Sequence, residues 1–164
     1  MNTCTLLCRR LKAATLPLGG TYIVLLWLSA AHHLTIGRLG QGTFRRGYYT
    51  YTGSATRGLR ARLHRHLHGA VSRHWHLDYL RPHARVLAWY TFAAGTQPEC
   101  QLHQQLVPWG RVAMTKFGAS DCSCATHLLY YPRRVLVAEA LGHVTGAGRH
   151  GHDTNHGGGG WHVC

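Results

Sequence analysis

Several groups of side chains in this sequence have the types and spacing to do chemistry. Arg62 and His66 lie four residues apart. On a helix that spacing stacks them one turn apart, so a guanidinium and an imidazole can reach the same phosphate. Asp121-Cys122-x-Cys124-x-x-His127 gathers four metal-competent side chains within seven residues. Zinc sites normally draw on two separated pairs, so a structural zinc here needs help from Cys100, His74 or His76. The alternative is a tight turn in which Asp121 and the thiols bond to backbone amides. His74, His76 and Asp78 alternate in HWHLDYL. In an extended segment all three face one side and offer a metal or phosphate surface. In a helix they do not converge, and Trp75, Leu77 and Tyr79 are harder to explain as core; a half-buried segment anchored by Trp75 and Tyr79 is an equal alternative to the extended surface. His150, His152, His156 and His162 lie among glycines, where chelation is non-specific.

The elements that must position these groups can be read from periodicity. TYIVLLWL after Gly19-Gly20 is a largely buried strand, and HLTIG with GTFRRG suggests a short hairpin. GYYTYT is a strand with Tyr49 and Tyr51 on one side and Tyr48, Thr50 and Thr52 on the other. Gly53-Ser54 should end it, with Ser54 or Thr56 capping the next helix. In that helix Leu59, Leu63 and Leu67 form the core stripe, with Arg62 and His66 at its edge and Arg65 and His68 pointing away. Residues 84–92 read as a strand and Glu99 to Val107, after Pro98, as a short helix. THLLYY and RVLVAEAL are two strands, or one strand and one short helix. These elements define a domain over residues 19–145, preceded by a basic arm (1–18) and followed by a Gly/His-rich tail (146–164) expected to be disordered.

Composition bounds the partner. Eighteen Lys and Arg stand against five acids, a formal net charge of +13, and only Lys12 and Lys116 are lysines. Guanidinium forks match phosphate geometry, so nucleic acid is the first partner to consider, with Arg57, Arg60 and Arg65 as candidate phosphate contacts. A solvated Arg-rich surface set by codon bias is the bland alternative. With Asp78, Glu99, Asp121, Glu139 and Asp153 as the only acids, a paired-carboxylate mechanism is hard to assemble. The longest apolar run, Tyr22 to Ala31, is about half of a membrane span, and the cysteines read as reduced thiols of a cytoplasmic protein.

Five blocks occur in order: GTY (20–22), GYYTYTGSA (47–55), GLRARLHRH (58–66), HWHLDYL (74–80) and FGASDCSCATHL (117–128). Together they resemble the GIY-YIG nuclease superfamily, with Thr replacing Ile in both signature tripeptides. More closely they resemble a poorly characterised branch sometimes fused to endonuclease III. The resemblance covers about residues 19–131 and implies an α/β (α+β) fold, a small three-stranded antiparallel sheet flanked by helices. It implies that Tyr22 and Tyr51 are the sheet tyrosines, one of which acts near an attacking water. It makes Arg62 the phosphate arginine and His66 a base or orienter. A helix carboxylate binds one divalent cation in that superfamily, Mg²⁺ or Mn²⁺. Aligned through Leu106, His103 stands where that glutamate belongs, and Glu99 lies one turn earlier.

Three functions follow. The first is a metal-dependent endonuclease, a hydrolase acting on DNA in preference to RNA and connected with repair. The second is a nucleic-acid-binding module that has lost the metal carboxylate. The third is a metal-binding (zinc) or redox module centred on residues 121–127.

Overall fold

The computed structural model describes residues 15–146 and the backbone of residues 160–163. Among the described residues the first elements are strand β1 (Gly20–Leu28), a hairpin of β2 (His32–Thr35) and β3 (Gln41–Phe44), and strand β4 (Gly47–Ala55). Helices α1 (Leu59–His68) and α2 (His76–Leu80) lead to strand β5 (Arg85–Ala93). Helix α3 (Glu99–Leu106), short strands β6 (Arg111–Val112) and β7 (Leu128–Tyr131), helix α4 (Arg134–Thr145) and strand β8 (Gly160–Val163) follow.

β1 runs antiparallel between β4 and β5 over nearly its whole length. A strand with neighbours on both edges and helices over both faces must be apolar throughout, which explains its unbroken hydrophobic run. β7 adds to the free edge of β4, β6 to β7 and β8 to β5, in the order β6-β7-β4-β1-β5-β8. The mixed α and β class is as expected, but the three-stranded sheet is only the centre of a wider one. β7 is the strand that THLLYY suggested, whereas β6 and β8 are two and four residues long, too short to carry a periodic signal.

Alternation along β1 divides the core. Tyr22, Val24 and Leu26 pack with Tyr49, Tyr51 and the Leu59, Leu63 and Leu67 stripe of α1. Ile23 packs on the opposite face with Leu102 and Leu106 of α3 and Val137 and Ala140 of α4. RVLVAEAL is therefore a helix, which settles the ambiguity left by its pattern.

Two local expectations are corrected. Neither Ser54 nor Thr56 caps α1, because β4 keeps its β1 partners through Ser54 and Ala55. The N-cap is Gly58, at φ 70° and with no capping side chain. At the other end Arg81 donates to the carbonyls of His66 and Leu67, placing a cation where the helix dipole favours one. HWHLDYL, in turn, is helical from His76 onwards rather than extended. The Asp78 carboxylate accepts from the amides of His74 and Trp75 at 2.9 and 2.8 Å, satisfying donors that an α-helix start leaves open. His74, His76 and Asp78 consequently form no common surface.

The basic arm up to residue 14 and the tail over 147–159 lie outside the described residues. Gly160–Val163, expected in the disordered tail, instead pair along β5. Among the described residues no helix is long and apolar enough to cross a membrane.

Candidate functional site

Tyr22 and Tyr51 arise from adjacent strands on the same face, with ring centroids 6.4 Å apart. Tyr22 pairs across the ladder with Gly53, and a Cβ there would stand 2.5 Å from the phenol oxygen. The missing side chain gives the Tyr22 ring its place over β4. α1 then delivers His66, whose Nε2 lies 2.9 Å from the Tyr22 hydroxyl. The His66 ring sits 5.5 Å from that of Tyr22 and 5.8 Å from that of Tyr51. One turn earlier, Arg62 lays its guanidinium 3.9 Å from the centre of the Trp75 ring and reaches the Tyr22 phenol by charge and hydrogen bond. The cation–π contact holds a long side chain in one place. Tyr22, Tyr51, Arg62 and His66 thus meet, with Arg62 on the side of the sheet that Tyr51 faces.

Burial sets the protonation of this group. It pushes the Tyr22 phenol up, and the Arg62 guanidinium offsets that only in part. Burial likewise raises Tyr51, with the neighbouring Tyr22 adding to the effect. For His66 burial lowers the pKa to about 3; Asp78 opposes the shift, and Arg62, Arg65 and Arg81 reinforce it. At neutral pH the site holds two neutral phenols and a neutral imidazole beside a fixed cation.

Of the three further candidate phosphate arginines, Arg57 and Arg60 are exposed. Arg65 is engaged elsewhere: its Nη2 meets Asp78 Oδ2 at 2.7 Å and also donates to the Ser72 carbonyl. Burial opposes ionisation of Asp78, but the Arg65 hydrogen bond and the Trp75 and His74 amides outweigh it and hold the carboxyl below its ordinary value. Arg65 is therefore held in an ion pair with Asp78.

α3 lies across the sheet from α1, yet its first residue reaches the end of β4. Glu99 accepts a hydrogen bond from Ser54 through Oε2, and Oε1 lies 2.7 Å from His127 Nδ1, close but not aligned as a hydrogen bond. The same carboxylate raises the pKa of both Tyr22 and Tyr51, so its charge is felt in the tyrosine cleft. His103 is buried, its ring 5.1 Å from that of His127, and burial lowers its pKa to about 4.

The other side of His127 faces sulfur. Cys122 Sγ and Cys100 Sγ stand 3.6 and 3.8 Å from its Nε2. With Cys124 they form a Cys3His group whose ligand atoms all lie within 4.8 Å of one another, able to hold a metal such as zinc. Asp121 is exposed and is not a member; Cys100, at the start of α3, takes the fourth place. All three thiols are free, and burial pushes that of Cys100 up to about 12, with bonds to Cys124 and Cys122 adding to the shift. The loop that carries the other ligands is closed at its neck, His127 N donating to Phe117 O at 2.7 Å and Lys116 N to Ala125 O at 2.6 Å. His76 Nδ1 accepts from Gly118 N at 2.8 Å, tying α2 to that loop. Gly118 has φ 71°, and a Cβ there would sit 2.8 Å from the Tyr51 ring.

The five blocks, scattered over residues 20–128, therefore assemble around Tyr51 and Phe117, whose rings are 6.1 Å apart. Sequence reasoning did not single out Ser54 as the partner of Glu99 or Trp75 as the platform for Arg62. Both lie inside the blocks, which was the available signal. No curated protein and no solved structure matches the chain. A family model does match, over residues 21–148, which span β1 to α4. The chain belongs to the family described as domain of unknown function DUF123.

Proposed function

We propose that this domain hydrolyses phosphodiester bonds in nucleic acid, with DNA preferred, in the manner of the nuclease superfamily its motifs resemble. The observation that carries the reading is the Tyr22–His66 hydrogen bond of 2.9 Å beside the Arg62 guanidinium. Arg62 is placed to bind a phosphate oxygen and to stabilise charge that develops there. Tyr22, fixed by its hydrogen bond with neutral His66, orients the attacking water, whose proton passes to solvent. The phosphorus–oxygen bond to the leaving group breaks, and that oxygen takes up a proton from solvent.

A divalent cation such as Mg²⁺ would add Lewis-acid stabilisation of the phosphate. Such ions are commonly held by one or two carboxylates together with water and substrate oxygens. Glu99 is the residue that would hold it, since its charge already acts on both tyrosines. A specific contact also favours the binding-module reading: Ser54 and His127 occupy both oxygens of Glu99. The net charge of +13 supports nucleic acid as the partner in either case, and the free thiols agree with a reducing, cytoplasmic setting.

The test is a cleavage assay of the full chain on single- and double-stranded DNA and RNA, with Mg²⁺ or Mn²⁺ and an Arg62→Ala control. Cleavage that needs the metal and Arg62 supports the nuclease. Salt-sensitive binding with no cleavage under any metal assigns the domain to the binding module instead.

A further inference from the structure

We propose that Cys100, Cys122, Cys124 and His127 bind one Zn²⁺, and that this ion fixes Glu99 at the edge of the tyrosine cleft through the imidazole of His127. Three independent features of the cluster lead there. The first is spacing. In tetrahedral zinc, bond lengths of about 2.3 Å to sulfur and 2.0–2.1 Å to nitrogen separate the ligand atoms by roughly 3.5–3.8 Å. The distances from His127 Nε2 to Cys122 and Cys100 sulfurs are 3.6 and 3.8 Å.

The second is ring orientation. His127 turns Nε2 toward the thiols and Nδ1 toward the Glu99 carboxylate, 2.7 Å away. A metal-bound histidine ordinarily presents its remote nitrogen to a carboxylate, which fixes the tautomer and strengthens the ligand. Glu99 is also the residue preceding Cys100 in α3, so ligand and outer carboxylate share one helical start.

The third is architecture. The Phe117–His127 loop has a neck of two backbone bonds but no helix or strand of its own. A cross-link from its two cysteines and its histidine to α3 would give it one conformation. The loop lies against the cleft, because Gly118 packs on Tyr51 and His127 O accepts from Thr52 N at 3.0 Å. Zinc here is a structural ion with four protein ligands and no open position, so it performs no hydrolysis itself. The zinc site stands whether or not the domain cleaves nucleic acid; only the role of Glu99 in the cleft rests on the proposed function.

The experiment uses the reduced full chain. Elemental analysis should give one zinc per chain. Exchange with Co²⁺ should produce the intense visible bands of a tetrahedral site and a thiolate-to-cobalt charge-transfer band in the near ultraviolet. That band separates the site from histidine-only binding by the Gly/His-rich tail. Cys122→Ser should weaken cobalt binding and reduce the band, and Cys4→Ser should leave it unchanged. Should the serine variant fail to fold, Cys122→His keeps four ligands, and its charge-transfer intensity should fall in proportion to the thiolate lost. Glu99→Gln should retain zinc with roughly ten- to a hundredfold weaker affinity. A wild-type chain that takes cobalt without thiolate bands, or a band of undiminished intensity in a folded Cys122→Ser variant, would overturn the site. Unchanged zinc affinity in Glu99→Gln would overturn the link to Glu99. None of these readouts depends on cleavage, so a chain that binds zinc and never cuts leaves the site standing while the proposed function fails.

Discussion

The tyrosine cleft and the Cys3His cluster lie on two sides of one carboxylate and are built in opposite ways. Tyr22, Tyr51, Arg62 and His66 stand on two neighbouring strands and one helix, each fixed by the periodicity of its element. Cys122, Cys124 and His127 stand on a loop, and only Cys100 belongs to a helix. The cleft is positioned by packing before any ligand arrives, since Tyr22, Tyr51 and His66 are almost fully buried. The cluster's loop buries Phe117, Ala119, Thr126 and His127 and has hydrogen bonds at its neck, but no helix or strand holds its thiols in place. Variants in the cleft should therefore affect turnover more than folding, and variants in the cluster should do the reverse.

The largest effect is expected from Arg62→Ala. Removing a preorganised guanidinium should lower cleavage by about a hundredfold or more while the melting temperature barely moves. Tyr22→Phe should be nearly as damaging to turnover, with a stability loss of about 1–2 kcal/mol because His66 loses its partner. A folded Arg62→Ala variant with normal turnover would remove the cleft from the mechanism. Cys122→Ser tests the other half. With zinc at about a hundred times its dissociation constant, loss of the ion should lower the melting temperature by roughly 5–10 °C, with little change in nucleic-acid affinity. An equal loss of both would mean that the loop itself contacts nucleic acid.

A subtler distinction concerns pH. His66 titrates near 3 in the folded chain against an ordinary 6.5. Between those values the unfolded chain binds a proton that the native one refuses, so stability rises with pH and is lost as pH falls below about 6.5. The slope from this residue approaches about 1.4 kcal/mol per pH unit. Urea unfolding of wild type and His66→Gln at pH 5 and pH 7 should show the slope reduced in the variant. Parallel slopes would mean that the imidazole is solvated and the cleft more open than its packing indicates.

The two regions also differed in how well the sequence revealed them. β1, β4 and α1 are long enough for period to show, and the motif resemblance is what implied that Tyr22, Tyr51, Arg62 and His66 would meet. The alternation of His74, His76 and Asp78 suggested a strand. The capping action of Asp78, which depends on where its carboxylate lands, makes the segment a helix. Ser54 looked like a helix cap because Gly53 looked like a strand end; the β1 ladder carries the strand two residues further. Cys100 was named only as one of three possible helpers for the CxC segment. No local rule ties a residue at the start of one helix to a loop that begins some twenty residues later. The outermost strands were invisible because pairing, not composition, makes them strands.

Gly53 carries a further consequence. In a saturation screen for activity, position 53 should tolerate substitution as poorly as position 22, though it has no functional group to lose. Even alanine would force its methyl against the phenol and move the hydroxyl away from His66. Such a screen would single out a residue that touches no substrate, and the defect would not be rescued by adding metal. A second-site change that shortens the side chain at position 22 could relieve the clash and restore folding. It would not restore the hydroxyl, so folding and turnover would separate at this one pair of positions.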